Sequence, residues 1–330
     1  GIIASQVKER IDKSKAWKHI RPVRKISRMR TLLKYVAIMI LPFGLGFFLF
    51  TRENRQEKVV YAEVPVQPGK KQAVLTLSSG QQVMLADTIV HVNENGMVIS
   101  NFPDKELVYK IMNDTMKTET VYNTVTVPRG GEYKLVLADG TIVWLNSDSH
   151  IRYPVTFSGD TRQVELEGEA YFEVASNPQK LFYVLAGETK VRVLGTAFNV
   201  LAYQDDLQTE VALLRGKVSF DVADKAYVLT PGEIATLDRE SGKTIIRKGD
   251  VAAIVDWKAG RFNFEDMPLE KLTVKLSRWY GVTFIFDDEE AKKLRFSGAV
   301  TKYRTLDYML GMIEKTTDVS FELKEDKVVV

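Results

Sequence analysis

The stretch GEYKLVLADGTIVWLNSDS, residues 131–149, alternates apolar and polar side chains on either side of Asp139-Gly140. Alternation with a period of two is typical of a half-buried strand, and an Asp-Gly pair supplies the positive φ of a tight turn. The stretch therefore predicts a β-hairpin. A similar stretch, KKQAVLTLSSGQQVMLADT at residues 70–88, places Gly80 where the first has Gly140. It predicts a second hairpin. One such similarity within the chain does not indicate a repeat protein.

Further alternating segments follow this hairpin, separated by Gly187, Gly216 and Pro231-Gly232. Short strands with a turn about every dozen residues are typical of an all-β sandwich or roll. We therefore predict such a domain over residues 72–248, without a long helix. The predicted strands after the hairpin lie at residues 151–157, 164–166, 170–174, 182–185, 191–194, 198–202, 211–214 and 218–222.

The last part of the chain, residues 257–330, adds helical periodicity to strands. A strand that contains Phe262 comes first. Asp266 and Pro268 then start a helix that Gly281 ends. Its apolar face holds Leu269, Leu272, Leu276 and Trp279. Strands at residues 282–286, 294–300, 319–323 and 327–330, with a second helix at 306–313, complete a β-α-β-β-α-β-β order. We predict a small α+β domain closed by one sheet.

Residues 35–51, YVAIMILPFGLGFFLFT, form an apolar run without a charged side chain. A helix of this length reaches about 25 Å, and Leu32 and Leu33 extend it toward the roughly 30 Å of the hydrocarbon core. We predict one transmembrane helix over residues 32–51, followed by a polar linker at residues 52–71. The competing interpretations are a buried core helix, which would show a polar face, and a cleaved signal peptide, which would follow a short arm.

The charges on the two sides of the apolar run differ in sign. Residues 1–34 carry eleven basic and two acidic side chains, whereas the rest of the chain carries 35 basic and 41 acidic ones. Since cytoplasmic flanks hold the excess of Lys and Arg, we expect the basic arm at residues 1–31 in the cytoplasm and the later domains outside. Adjacency to a membrane also explains the basic run at residues 21–30 without direct nucleic-acid binding.

The sequence shows no pattern of a catalytic, metal or cofactor site. It contains no cysteine, and His19, His91 and His150 lack the spacing of metal ligands. The carboxylates of ELEGEAYFEV share one strand face, which alternation predicts to be solvated. They are Glu167, Glu169 and Glu173. A glycosidase needs two carboxylates that face each other across a cleft. We therefore expect a protein that is not an enzyme and that holds no cofactor.

Several motifs, in order, resemble those of the FecR family, which are single-span anti-sigma regulators of Gram-negative cell-surface signalling. The motifs are VPRGGEYKLVLADGTIVWLNSDSHIRYPVTF (127–157), VELEGEAYFEV (164–174), VRVLGTAFNVLAY (191–203), LRGKVSF (214–220) and LTPGE (229–233). Their marker residues, which we interpret as structural, are Pro128, Arg129, Gly130, Gly131, Asp139, Gly140, Trp144, Asn146, Gly168 and Glu169. The C-terminal part resembles the FecR C-terminal domain and the short domain of secretins and TonB-dependent receptors.

This resemblance implies a signal relay across the inner membrane. A TonB-dependent outer-membrane transporter would dock its signalling domain on the periplasmic part, where the strand at residues 294–300 offers an edge for strand addition. An ECF sigma factor would bind on the cytoplasmic side. Family members usually carry a longer N-terminal helical domain, so we expect either that the cytoplasmic segment at residues 1–31 is truncated or that its binding of a sigma factor is reduced. Family members are regulated by stepwise proteolysis, and Pro42, Gly44 and Gly46 weaken the predicted span.

Gly195-Thr196, within VLGTAF, matches a Gly-Thr step at which some relatives cleave themselves. The Thr196 hydroxyl would attack the Gly195 carbonyl. The alternative is a bulge beside a β-favouring threonine. Two other functions stay open. One is a structural or envelope-assembly protein, and the other is a periplasmic carbohydrate-binding module with exposed aromatic side chains such as Tyr133 and Tyr171.

Overall fold

The computed structural model describes residues 65–86, 90–94, 97–101, 107–111 and 120–330. The predicted basic arm and membrane span lie outside these residues, as does most of the predicted linker. Within the described ranges, no helix is both long and apolar enough to cross a membrane.

Strands dominate the chain up to residue 248. In order they are β1 (Lys70–Lys71), β2 (Ala73–Thr76), β3 (Gln82–Leu85), β4 (Val90–Glu94), β5 (Met97–Asn101), β6 (Val108–Ile111), β7 (Tyr122–Val127), β8 (Gly131–Val136), β9 (Ile142–Leu145), β10 (Ser149–Pro154), β11 (Arg162–Glu173), β12 (Phe182–Ala186), β13 (Thr189–Val193), β14 (Ala197–Ala202), β15 (Gln208–Arg215), β16 (Val218–Val222), β17 (Lys225–Leu229), β18 (Glu233–Asp238) and β19 (Thr244–Lys248). This succession of strands is consistent with the all-β domain predicted for residues 72–248.

Two sheets share the long strand β11. Its first half pairs with β10 and β12, and its second half pairs with β9 and β14. One sheet runs β17-β16-β13-β12-β11-β10-β7-β2-β3, and the other continues through β1, β8, β9, β11, β14, β15, β18 and β19. Their facing side chains form the main core, which includes Val164 and Phe172 of β11. We call this two-sheet body the sandwich.

The strand changes sheets at Gly168, which has φ +104°. A Cβ atom there would lie 2.3 Å from the Ser149 hydroxyl oxygen. Both the backbone conformation and the close approach therefore require glycine.

Both predicted hairpins are present. β2 pairs antiparallel with β3, and β8 pairs antiparallel with β9. The turns are alike: the Leu77 N–H donates to the Gln81 carbonyl oxygen, and the Leu137 N–H to that of Thr141, each at 2.9 Å. These bonds close three-residue loops in which the glycine alone takes positive φ, at +84° and +83°. The Asp-Gly pair thus contributes one left-handed residue, because the type I turn before it uses ordinary φ values.

The C-terminal part comprises β20 (Arg261–Pro268), β21 (Thr283–Ile285), β22 (Arg295–Thr301), β23 (Glu322–Lys324), β24 (Lys327–Val329) and the helices α2 (Leu269–Tyr280) and α3 (Leu306–Glu314), after a short helix α1 (Val251–Val255). The order matches the prediction, but the single sheet was wrong. β20 pairs with β22, whereas β21 pairs with β24, because the turn at Ala291–Lys293 returns the chain to β20. Gly281, at φ +69°, ends α2 as expected.

Candidate functional site: the junction between the sandwich and the C-terminal domain

The turn at residues 128–131, which joins β7 to β8, brings three parts of the chain together. The Gly130 N–H donates to the Arg278 carbonyl oxygen of α2 at 2.8 Å. The Gly130 carbonyl oxygen accepts from the Lys70 N–H of β1 at 2.9 Å. Gly130 has φ +68°, a left-handed conformation that favours glycine. This family motif is therefore a contact point between the sandwich, the start of the described chain and the C-terminal domain.

The neighbouring motif residues shape the turn. The Gly131 N–H donates to the Pro128 carbonyl oxygen at 3.0 Å, and a Cβ atom on Gly131 would lie 2.9 Å from that oxygen. Arg129 forms an exposed ion pair with Asp148 at 3.0 Å. Since exposed pairs contribute little, the glycines matter more to the turn than this arginine.

Residues 65–72, which we call the lead-in segment, pass between the sandwich and the C-terminal domain. A Cβ atom on Gly69 would lie 2.7 Å from the Trp279 ring, so glycine is needed for the chain to pass. The Val66 carbonyl oxygen accepts from the Leu306 N–H at 3.1 Å. The segment ends in β1, which pairs in parallel with β8. The predicted linker differs here, because its last residues are held by backbone bonds on both sides.

Lys302 is fully buried where the two bodies meet. Its ammonium group donates to the Glu132 carboxylate and lies 4.0 Å from the centre of the Trp279 ring. Burial lowers the pKa of Lys302, and Glu132 opposes this effect. The Tyr303 hydroxyl also donates to Glu132, at 3.0 Å, and burial together with that carboxylate raises the pKa of Tyr303 to about 12.

Glu169 is buried, with 6% of its surface exposed, so the predicted solvated face was wrong at this position. Its carboxylate accepts from the Asn146 side-chain amide at 2.7 Å and from that of Asn199 at 3.0 Å. The reason is tertiary: after the crossing at Gly168, α1 and Trp257 cover the outer face of the second sheet. A buried carboxylate needs such donors, which explains the pairing of the two motif residues Asn146 and Glu169.

The other two glutamates of the predicted face have separate partners. Glu167 accepts from the Gln204 side chain at 2.6 Å, whereas Glu173 lies 3.4 Å from the Lys258 ammonium group. The three carboxylates therefore do not form a facing pair. In the described part of the chain, no cluster of three or more His, Asp and Glu side chains is placed to hold a metal ion.

Arg278 of α2 ties the C-terminal domain to the loop after β14. Its guanidinium donates to Asp205 and Asp206 at 2.7 Å each and lies 3.6 Å from the centre of the Tyr203 ring. Burial alone would lower the pKa of Arg278, but the bond to Asp206 and the nearby negative charges raise it. Burial, and next the Glu169 charge, raises the pKa of Tyr203. The arginine is thus held in its charged form.

Two further motif residues lie away from this junction. Asp139 accepts from the fully buried Arg162 guanidinium at 2.7 Å, which fixes the β8–β9 turn. Trp144 packs on Tyr171 with ring centres 5.5 Å apart, beneath the Lys258 ammonium group. Tyr171 is 1% exposed and Tyr133 is 9% exposed, so these two side chains are not the exposed aromatic residues that the carbohydrate-binding alternative requires.

Gly195 and Thr196 lie just before β14. A Cβ atom on Gly195 would lie 2.6 Å from the Ser176 Cα, so glycine is required there. Thr196 is buried, and its hydroxyl donates to the Lys217 carbonyl oxygen at 3.1 Å. The register of β14 on β15 shifts between the first two residues of β14. The Gly-Thr step is therefore closely packed and adjoins a strand irregularity.

Sequence patterns did not indicate Trp257, Arg278 or Lys302 as site residues. Their partners Asn199, Asp205 and Glu132 lie 58, 73 and 170 positions away in the chain. Periodicity reports only local neighbours. The visible signal was limited to Arg278, a basic residue in the last turn of α2 beside its apolar face.

The comparisons with known proteins agree with the motifs. The family described as FecR protein matches residues 123–219, and the family described as FecR, C-terminal matches residues 261–330. No curated protein sequence matches the chain.

Two solved structures are similar to this fold. They are crystal structures, at 1.65 Å and 2.50 Å, of a candidate anti-sigma factor from Parabacteroides distasonis ATCC 8503. Each is 30% identical in sequence with a TM-score of 0.59. The similarity covers 62% and 63% of this chain, and 97% of each of those chains. With the two family matches, this shows that the chain belongs to the FecR family.

Proposed function

We propose that this protein is an anti-sigma factor that relays a signal from a TonB-dependent outer-membrane transporter to a cytoplasmic ECF sigma factor. The observation that carries the proposal is the presence of both FecR matches in one chain, at residues 123–219 and 261–330. The similar Parabacteroides structure, a candidate anti-sigma factor, supports it. The absence of a facing carboxylate pair among Glu167, Glu169 and Glu173 fits regulation rather than turnover.

The relay requires a chain that spans the inner membrane once. The apolar run at residues 32–51 and the basic arm before it support an N-terminus in the cytoplasm and periplasmic later domains. Protease treatment of spheroplasts tests this arrangement. The sandwich and the C-terminal domain should be digested from outside while a tag on residues 1–31 survives. Survival of both ends would contradict the topology.

Binding of a sigma factor is the partner claim that decides the function. The full chain, purified from membranes of its own cells, should retain a sigma factor of the ECF class. The matched control is the same chain without residues 1–31, which should lose the sigma factor but keep any periplasmic partner. Recovery of secretin components in place of a sigma factor would favour envelope assembly instead.

We place the receptor's signalling domain on β22. Among the described strands, β22 pairs with β20 alone, so its other edge has no partner strand there. Most residues of β22 are also exposed. A free strand edge permits strand addition. Because the chain contains no cysteine, single cysteines are clean probes. A cross-linker on Ala299→Cys should capture the receptor, whereas one on Ser241→Cys, exposed in the β18–β19 turn, should not. Equal capture would contradict the assignment.

We further propose that the Gly195–Thr196 bond is cut by the chain itself. The Thr196 oxygen would bond to the Gly195 carbonyl carbon as the peptide C–N bond breaks and the hydroxyl proton passes to the released amine. Water would then hydrolyse the ester. The close packing of Gly195 on Ser176 supports a backbone held in one conformation. Wild-type protein should run partly as two fragments, Thr196→Ser likewise, and Thr196→Ala as one. The buried Thr209→Ala serves as control. A single band for the wild type would exclude the cleavage.

A further inference from the structure

The lead-in segment is bonded at the same place to both bodies. On the sandwich side, the Lys70 N–H donates to the Gly130 carbonyl oxygen at 2.9 Å, and the Gln72 N–H donates to that of Glu132 at 3.1 Å. On the C-terminal side, the Val66 carbonyl oxygen accepts from an α3 backbone N–H at 3.1 Å. Two of these three backbone bonds therefore go to the sandwich and one goes to the C-terminal domain, so the segment is bonded to both.

The residues that hold the lead-in segment also hold the C-terminal domain. Gly130 accepts from Lys70 through its carbonyl oxygen and donates to Arg278 through its N–H. Glu132 accepts from Gln72 through its backbone and from the buried Lys302 through its carboxylate. Displacing the C-terminal domain would remove partners from both residues at once. The two contacts are therefore expected to open together.

We propose that the C-terminal domain is a latch on the lead-in segment, and that displacing this domain frees residues 65–72 from the sandwich edge. The segment continues toward the predicted membrane span at residues 32–51 in the sequence. Use of the latch to pass a docking event along the chain rests on the proposed function. The latch itself depends on the backbone bonds of Val66, Gly130 and Glu132 and on the contacts of Gly69 and Lys302 with Trp279.

Trypsin cleavage reports whether the lead-in segment is detached, because Lys70 and Lys71 lie in this segment. A protease must bind its substrate as an extended backbone that is not paired with another strand. The perturbing variants of the full chain are Gly69→Ala and Lys302→Gln. The new methyl group of Gly69→Ala would lie 2.7 Å from the Trp279 ring and 2.8 Å from the Gly130 carbonyl oxygen, so this variant disturbs both sides of the segment. Lys302→Gln changes no atom of the segment and therefore tests the latch alone. Lys324→Gln, which removes an exposed ion pair in the same domain, is the matched control.

Cleavage after Lys70 and Lys71 is followed by mass spectrometry, relative to cleavage at the exposed Lys225, the first residue of β17. If the C-terminal domain is a latch, both perturbing variants raise the ratio of cleavage in the lead-in segment to cleavage at Lys225 at least tenfold. Lys324→Gln leaves this ratio within twofold of the wild type. Equal ratios in all four proteins, or a wild-type segment cut as fast as Lys225, would overturn the latch.

Cleavage at the buried Arg162 reports general unfolding. If both perturbing variants unfold, hydrogen exchange of the wild type decides. The amides of Lys70, Gln72 and Leu306 should then show the same protection, that is, the same exchange rate relative to that of each amide in the unfolded chain. An amide of Leu306 that exchanges much faster than those of the lead-in segment would overturn the latch. These measurements involve no sigma factor or receptor, so their outcome is independent of the proposed function.

Discussion

Removing either partner of the buried Lys302–Glu132 ion pair should destabilise the protein strongly. Lys302 is fully buried and the Glu132 side chain is 13% exposed, so the remaining group would be left charged and largely desolvated. Breaking such a pair costs about 3–5 kcal/mol of unfolding free energy. We expect about 3 kcal/mol for Lys302→Met, at the low end, because Glu132 keeps the Tyr303 hydroxyl donor and the methionine still packs on Trp279.

The unfolding free energy of the Glu132→Gln variant should increase with pH. Burial lowers the pKa of Lys302, and loss of Glu132 removes the charge that opposes this lowering. The unfolded chain then binds more protons than the fold between the lowered pKa and the ordinary lysine value. The unfolding free energy of Glu132→Gln should therefore rise with pH through this window, relative to Lys302→Met, which lacks the titrating group.

Urea unfolding of the full chain, followed by tryptophan fluorescence, measures these effects. The Trp257 and Trp279 rings lie 5.6 Å and 4.0 Å from the Lys302 ammonium group and report on the junction. Lys324→Met, at an exposed pair, is the control and should cost less than about 1 kcal/mol. The double variant Lys302→Met with Glu132→Gln should cost at least about 2 kcal/mol less than the two single costs added together. Additive costs, or a neutral Lys302→Met, would refute the reasoning.

Three further outcomes are expected, the first two from the same unfolding measurement and the third from a pH titration. Asn146→Ala removes a donor from the buried Glu169 carboxylate and should cost about 2 kcal/mol; no change would mean that Glu169 needs no donor. Gly168→Ala should cost about 3 kcal/mol, from left-handed φ and contact with Ser149, and wild-type stability would contradict the crossing geometry. Burial, and then Glu173, raises the pKa of Tyr171 to about 12. The contribution of this neutral hydroxyl to the unfolding free energy is therefore complete below pH 10.0 and is lost as the pH approaches 12. Phenolate absorbance of Tyr171 that begins at the ordinary tyrosine pKa would contradict this.

The parts of the fold set by local pattern were predictable. Leu75 and Leu135 alternate with polar neighbours, and the structure buries both completely in the two hairpins. Gly281 ends α2 because a left-handed residue is needed there. The split of the C-terminal sheet was missed, since the choice between β20 and β21 as partner of β22 is not a property of any one strand.

The candidate site was predictable only as motif residues, without their contacts. Alternation placed Glu169 on a solvated face, because the element that covers it, with Trp257, comes more than eighty positions later. Lys302 and Glu132 are 170 positions apart, and no local sequence pattern connects them. Gly130 was interpreted as structural, and it does shape a turn, but its bond to Arg278 depends on the packing of a separate domain.

The most direct measurement is transcription from a promoter that depends on the sigma factor recovered with this protein. Cells that lack the protein should transcribe the promoter without an inducing signal, and the full chain should restore repression. A chain without residues 1–31 should fail to do so. Equal transcription with and without the protein would contradict the role of an anti-sigma factor.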